Sequence, residues 1–294
     1  MFYSLKYTLK GIKFPHLFVT LRLTSRKYYR SDFLKYIWKI PRLIVPLSPN
    51  KNKGRMGKKD FFQFKQFHIH QEHAAMKVGT DSDLLGALAA GGKRVLDVGT
   101  GTGVLALMMA QRFTDATVTA VEIDDEAVLD AKRNFAESKF TDRITLVHDS
   151  FQNFLSTSAQ DEAPFDSVVC NPPYFDRSLE CPTLGRTRAR HSSNLPFPVL
   201  AEGVASLLCD GGTFTVCIPP EVLSDFNAAC FMAGFWLQHN YNIKSVPEKG
   251  TKRHILIYKK GIAEAPTQEQ TFCMRNADKT VSEWYKETLK EFLL

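Results

Sequence analysis

Four residues, Asn171-Pro172-Pro173-Tyr174, cut off the apolar run Phe165–Cys170. Adjacent prolines remove two backbone donors and cannot continue a central strand. What remains is a stiff tip with a side-chain carbonyl on Asn171, a backbone carbonyl that proline holds rigid at Pro172, and an aromatic ring on Tyr174. Two fixed acceptors beside a ring can hold a planar NH2 group while the ring stacks on the rest of a planar ligand. The acceptors draw on the amine hydrogens and help its lone pair develop as it attacks an electrophilic carbon in line. Orientation and charge placement then carry most of the rate, and no strong base is needed. The plainer reading is a turn with a stacked tyrosine.

Upstream, Val95–Ala110 reads "VLDVGTGTGVLALMMA", a strand, a glycine turn and a helix. Gly99, Gly101 and Gly103 allow a sharp turn and close approach of a ligand to the backbone. The dinucleotide fingerprint fails because Val104 stands where its third glycine belongs, and no Gly-Lys-Ser/Thr follows to make a phosphate loop. Asp97, at the strand end, would repel a pyrophosphate and attract an ammonium. That suits the amino-acid end of S-adenosylmethionine. Alone, such a loop also serves as a packing turn in other α/β proteins.

Three further positions favour the cofactor reading. Glu122 ends the next strand about 20 residues after the loop, where an acid can hold ribose hydroxyls. Ile123 follows it and can cover one face of an adenine. Asp149 ends the third strand and can accept from the adenine amine. Each acid alone is an ordinary strand-end carboxylate or cap. Together they line the carboxyl edge where ligands of open α/β sheets bind.

These residues need a frame, and the hydrophobic pattern supplies one. From about residue 80, helices and strands alternate, the mark of a parallel sheet with crossover helices. Expected helices are Asp81–Ala90, Val104–Phe113, Asp125–Ser138, Pro198–Cys209 (closed by Asp210-Gly211-Gly212), Leu223–Ala233 and a closing Ser282–Phe292. Expected strands are Arg94–Val98, Thr117–Ile123, Arg143–His148, Phe165–Cys170 and Thr213–Ile218, with Trp236–Ile243 and His254–Lys259 as a hairpin-like edge.

The 294 residues suffice for one large domain or two small ones. Six cysteines without a Cys-x-x-Cys pair argue against a zinc site or disulfide framework, so no metal is expected and a reducing cytoplasm is. No apolar run approaches the roughly 18 residues of a membrane helix. The net charge of +7 misleads: residues 1–55 hold 13 Lys/Arg and the single acid Asp32, a balance of +12, so the remainder carries −5. The basic excess belongs to this leader and says nothing about the folded part. Three readings of the leader stand: a basic arm for RNA or a membrane surface, an organelle transit segment, and translated sequence upstream of a true start at Met56. The last is preferred, with the fold expected over 56–294.

Asp97, the Gly99/Gly101/Gly103 loop, Glu122, Asp149 and Asn171-Pro172-Pro173-Tyr174 together resemble the class I methyltransferases that act on exocyclic or amide nitrogens. The segment before the fold narrows this. Phe64-Lys65-Gln66-Phe67, Gln71, Ala75-Met76-Lys77-Val78-Gly79-Thr80-Asp81 and Leu84-Leu85-Gly86-Ala87 resemble the bacterial family that N6-methylates adenosine 37, beside the anticodon, in a valine tRNA. Glu180, Cys181, Thr183, Arg186 and Arg190 fit the same family. The resemblance covers residues from about 60 to 294. It departs at the leader, which has no counterpart, and at Ser82-Asp83, where a glycine is common.

The resemblance implies a Rossmann-like fold: a mostly parallel, seven-stranded sheet with helices on both faces. It also implies S-adenosylmethionine as cofactor, with Lys77 and Thr80 among the residues beside it. The expected partner is the anticodon loop of a valine tRNA, whose splayed bases enzymes can extrude into a pocket. Pro173, Tyr174 and Phe175 would meet the flipped adenine. Arg186, Arg188 and Arg190, just past the tip, and Arg253 near the last expected strand would grip phosphates. For any one arginine, a solvated loop is the plainer reading. The rival enzymes are a glutamine-amide methyltransferase of a release factor, which usually carries a sizeable helical domain before the fold, and a guanine-N2 methyltransferase of ribosomal RNA. A non-enzymatic RNA scaffold on the same fold has no need of Asn171.

Overall fold

The computed structural model describes residues 60–158, 163–172 and 195–293. The leader (1–55), Pro173, Tyr174, Phe175, Glu180, Cys181, Thr183, Arg186, Arg188 and Arg190 lie outside the described residues.

The described chain opens with a small antiparallel pair, β1 (Phe61–Gln63) and β2 (His68–His70). Helix α1 (Thr80–Leu88) then leads into β3 (Arg94–Val98), α2 (Val104–Arg112), β4 (Thr117–Glu122), α3 (Asp125–Ala136) and β5 (Ile144–His148). After α4 (Phe151–Ser158) come β6 (Phe165–Cys170), α5 (Phe197–Leu207) and β7 (Leu208–Ile218). The chain finishes with α6 (Leu223–Met232), β8 (Phe235–Lys244), β9 (Thr251–Lys260), β10 (Gln268–Cys273) and α7 (Glu283–Leu289).

The large sheet runs β10-β8-β9-β7-β6-β3-β4-β5. Pairings are parallel throughout except that β9 runs against both β7 and β8. This is the expected α/β Rossmann-like architecture. The eighth strand, β10, adds itself in parallel to the outer side of β8.

Alternating side chains feed two cores. Val95 enters one cluster and Leu96 the other; Val169 and Val168 divide the same way. Helices α1, α2 and α7 cover the first face through Leu84, Leu85, Leu107 and Leu289. Helices α4, α5 and α6 cover the second through Phe154, Leu200 and Phe226. With both faces covered, the central strands read as continuous apolar runs rather than as alternation. Helix α2 is buried along Val104–Ala110, and each of its large side chains contributes roughly 1.5–3 kcal/mol. Arg112, at the end of α2, donates to the carbonyls of Gly86 (2.9 Å) and Ala89 (2.7 Å), closing the last turn of α1.

Strand β7 departs from expectation. It begins at Leu208, and Asp210-Gly211-Gly212 lies inside it rather than closing the preceding helix. The register jumps there: Phe165 faces Leu208, yet Ser167 faces Thr213. Gly211, at φ +75°, lets the strand bulge at that point. No helix among the described residues is long and apolar enough to cross a membrane.

Candidate active site

The sheet order reverses at β3, which has β4 on one side and β6 on the other. Ligands of such sheets bind at the carboxyl ends of the strands flanking that reversal. There Val98 faces Val121 of β4 and Cys170 of β6. The next residue of each strand, Gly99, Glu122 and Asn171, therefore stands at one level of the edge. Glu122 in turn faces His148 of β5, which brings Asp149 alongside.

The glycine loop owes its shape to three positive φ angles, +70° at Gly99, +58° at Gly101 and +84° at Gly103. Any other L-residue there pays roughly 1–2 kcal/mol. The three glycines have different surroundings. A Cβ built on Gly99 or Gly101 meets nothing within 4 Å, so those positions face open space. A Cβ on Gly103 would stand 2.4 Å from the Phe135 ring, so Gly103 is a packing position under α3. The amides of Gly99 (2.9 Å) and Thr100 (3.0 Å) both donate to the carbonyl of Val121, which ties the loop to the end of β4.

Asp97 is fully buried beneath this loop. Its Oδ2 accepts from the Thr100 hydroxyl (2.5 Å) and the Ala106 amide (3.1 Å). Its Oδ1 has no hydrogen-bond partner. Burial pushes the carboxyl up to about 7, and the nearby Glu122 pushes in the same direction. A buried acceptor left unsatisfied is costly, and an ammonium is the group that would satisfy it. The unsatisfied acceptor and the open face over Gly99 and Gly101 thus fit the amino-acid end of S-adenosylmethionine.

Glu122 is nearly as buried. Its Oε2 accepts from Gly101 (2.8 Å), and its Oε1 from Ile123 (2.9 Å) and Asp124 (2.9 Å). Burial raises its pKa, and these three backbone donors oppose the rise. The carboxylate thus braces the loop, a task the sequence did not reveal, while two oxygens with about four acceptor sites retain room for a hydroxyl. Ile123, beside it, is exposed to 37% and presents an apolar surface at the edge. Asp149 is anchored by its amide to the Glu122 carbonyl (3.0 Å). Its Oδ1 accepts from the Ser150 amide (2.7 Å) and Asn153 Nδ2 (2.9 Å).

Asn171 is half-buried and Pro172 buried at the end of β6. Burial drives the Cys170 thiol well above its usual range, and Asp97 and Glu122 add to the effect. The residue before Asn171 therefore sits within the field of both carboxylates. The structure brings together Asp97, the three glycines, Glu122, Ile123, Asp149, Asn171 and Pro172.

Three other expected residues have partners of their own. Lys77 pairs with Asp60 at 3.8 Å, and Thr80 opens α1; neither shares a hydrogen bond or ion pair with the loop or the strand-end acids. Arg253 donates from Nε to Asp81 (2.7 Å) and from Nη1 to the Lys252 carbonyl (2.7 Å), tying β9 to α1. Sequence reasoning also missed Asn134, which donates to the carbonyls of Thr102 (2.8 Å) and His70 (2.8 Å) and so joins the loop to β2. Only an asparagine buried on the inner side of an amphipathic helix hints at it.

The family model "Methyltransferase small domain" matches residues 73–187. The chain is 43% identical over 237 residues to a tRNA1(Val) (adenine(37)-N6)-methyltransferase of Bacteroides thetaiotaomicron, covering 80% of this chain and 97% of that one. It is 36% identical over 237 residues to one from Tolumonas auensis, covering 79% and 96%. Among solved structures, a predicted O-methyltransferase of Agrobacterium tumefaciens shares the fold at a TM-score of 0.57 and 20% identity, over 72% of this chain and 96% of that chain. Gly99, Glu122 and Asn171 occupy a common edge of a methyltransferase fold, and with relatives this similar over nearly their whole length the chain belongs to the tRNA1(Val) (adenine(37)-N6)-methyltransferase family.

Proposed function

We propose that the protein transfers a methyl group from S-adenosylmethionine to N6 of adenosine 37 in the anticodon loop of a valine tRNA. The observation that carries this reading is the register that ends β6 at the Val98–Cys170 pair, so that Asn171, one residue beyond, stands at the level of Gly99 and Glu122. The activity named for the relatives supports the choice of RNA and base. We assign it to residues 56–294.

S-adenosylmethionine supplies a sulfonium methyl as electrophile. Asp97 would hold the ammonium, the Gly99–Gly101 backbone would admit the ligand closely, and Glu122 would hold ribose hydroxyls. Ile123 would cover the adenine face of the cofactor, and Asp149 would accept from its amine. Asn171 Oδ1 and the Pro172 carbonyl would accept the two N6 hydrogens of the target adenine, and Tyr174 would stack on its ring. The N6 lone pair would be aimed at that methyl carbon, with the thioether as leaving group and the surplus N6 proton released to solvent. Orientation supplies most of the acceleration. Arg186, Arg188 and Arg190 follow the tip closely in the chain and would hold RNA phosphates.

The test is methyl transfer from labelled cofactor to total tRNA, ribosomal RNA and release factor in parallel. Label is expected in tRNA, as N6-methyladenosine. Label confined to release factor or ribosomal RNA would replace this reading with the corresponding rival.

A further inference from the structure

Away from the sheet edge, His68 and His70 project from the same face of β2, because strand side chains repeat every two residues. Ile69 between them is fully buried. Both imidazoles converge on one carboxylate: Nε2 of His68 lies 2.8 Å from Glu137 Oε2, and Nε2 of His70 lies 3.0 Å from the same oxygen. Glu137 is the C-cap of α3. The three ligand atoms lie within 4.8 Å of one another.

We propose that His68, His70 and Glu137 form a zinc site that clips the β1–β2 pair to the end of α3. Two imidazoles and a carboxylate are a characteristic zinc donor set, with water completing the tetrahedron. Bonds of about 2.0–2.1 Å put tetrahedral ligands roughly 3.3 Å apart. To admit the ion, the two nitrogen–oxygen separations open by a few tenths of an ångström, and the two imidazole nitrogens, within 4.8 Å of each other, settle to the same spacing.

The surroundings hold the ligands as an outer shell does. Arg133 Nε donates to Glu137 Oε1 at 3.0 Å, which fixes one oxygen and leaves Oε2 aimed at the imidazoles. Binding through Nε2 leaves the proton of His70 on Nδ1, and Glu72 Oε1 waits 3.9 Å from that atom. Glu72 is itself paired with Arg133 at 3.2 Å. A carboxylate behind a ligating histidine is the usual supporting partner of such sites. The Phe61 ring stacks on His68 at 5.2 Å and meets His70 edge-on at 5.4 Å, restricting both rings.

The clip would bear on the cofactor loop. The His70 amide donates to Asn134 Oδ1 (2.7 Å), while Asn134 Nδ2 donates to the carbonyls of His70 and Thr102. Fixing His70 to α3 therefore steadies the residue that spans β2 and the glycine loop. The proposal is independent of the RNA substrate.

The test is titration of the chelator-treated full chain with Co2+, followed by Zn2+. One Co2+ per chain is expected to give the visible absorption of a tetrahedral nitrogen–oxygen site, without the near-ultraviolet thiolate band, and Zn2+ is expected to bleach it. His68→Gln and Glu137→Gln, checked for native circular dichroism, should each weaken Zn2+ binding at least about tenfold. His148→Ala, elsewhere on the chain, should not. Absence of the cobalt spectrum, a spectrum with thiolate absorption, or unchanged affinity in the folded variants would overturn the proposal.

Discussion

The Gly101 amide donates to the Glu122 carboxylate at 2.8 Å, so the acid expected to hold a sugar also holds the loop that admits the cofactor. Glu122→Ala removes an acceptor shared by three backbone donors. Each orphaned donor costs roughly 1–3 kcal/mol, though the three will not add fully. S-adenosylmethionine affinity, by isothermal titration, should fall at least about tenfold, with a loss of urea stability of about 2 kcal/mol or more. A variant with full stability and weakened affinity would mean that Glu122 acts on the ligand alone.

Gly103 and Gly99 should fail differently when replaced by alanine. Both carry positive φ, which costs roughly 1–2 kcal/mol. Gly103→Ala also drives a methyl into the Phe135 ring, adding about 1–3 kcal/mol of overpacking. Gly99→Ala meets no neighbour, so its added methyl projects toward the expected cofactor instead. Urea melts should show the larger loss for Gly103→Ala, and titration the larger loss of cofactor affinity per unit of stability for Gly99→Ala.

Asp97 makes cofactor binding and stability respond oppositely to pH. Its carboxyl is raised from 3.8 to about 7 by burial, so across that interval the folded chain keeps a proton the unfolded chain has released. Stability of the ligand-free protein therefore falls as pH rises from about 4 to 7, by on the order of 4 kcal/mol from this group. An ammonium ligand favours the ionised form, so cofactor affinity should rise over the upper part of the same range. Asp97→Asn can keep the Thr100 and Ala106 bonds through its carbonyl, but should flatten the affinity profile between pH 6 and 8. Asp83, buried and also raised to about 7, leaves a stability slope in that variant.

The parts of this protein that were legible in the sequence are those where chain chemistry and fold agree locally. A strand buried on both faces announces itself as Val95–Val98, and glycines at positive φ announce the turn after it. The Asn171-Pro172 tip was legible because no central strand accommodates two prolines. Strand β10 was not: its first four residues are exposed, so it shows no apolar alternation and owes its place to backbone pairing with β8. The β1–β2 pair has three residues per strand, too few for a period. Gly211-Gly212 signalled a helix end and a strand bulge equally well, and only the jump between Phe165 and Ser167 decides between them. The bracing task of Glu122 and the meeting of His68 and His70 with Glu137, some 67 residues away, depend on tertiary placement that spacing does not encode.

Asn171 differs from the other site residues in its expected division of labour. In the proposed function it holds the amine being methylated and not the cofactor, so Asn171→Ala should leave cofactor titrations nearly unchanged. Removing one positioned polar group from an electrostatically organised site costs about 10²–10³ in rate, and loss of alignment with the Pro172 carbonyl adds to that.

Single-turnover methyl transfer to a valine tRNA by Asn171→Ala, at saturating S-adenosylmethionine, tests the central claim most directly. The predicted result is a rate at least about 10²-fold below that of the native chain, with cofactor affinity within a factor of about 2. A native transfer rate, or a slow rate explained wholly by lost cofactor binding, would contradict it.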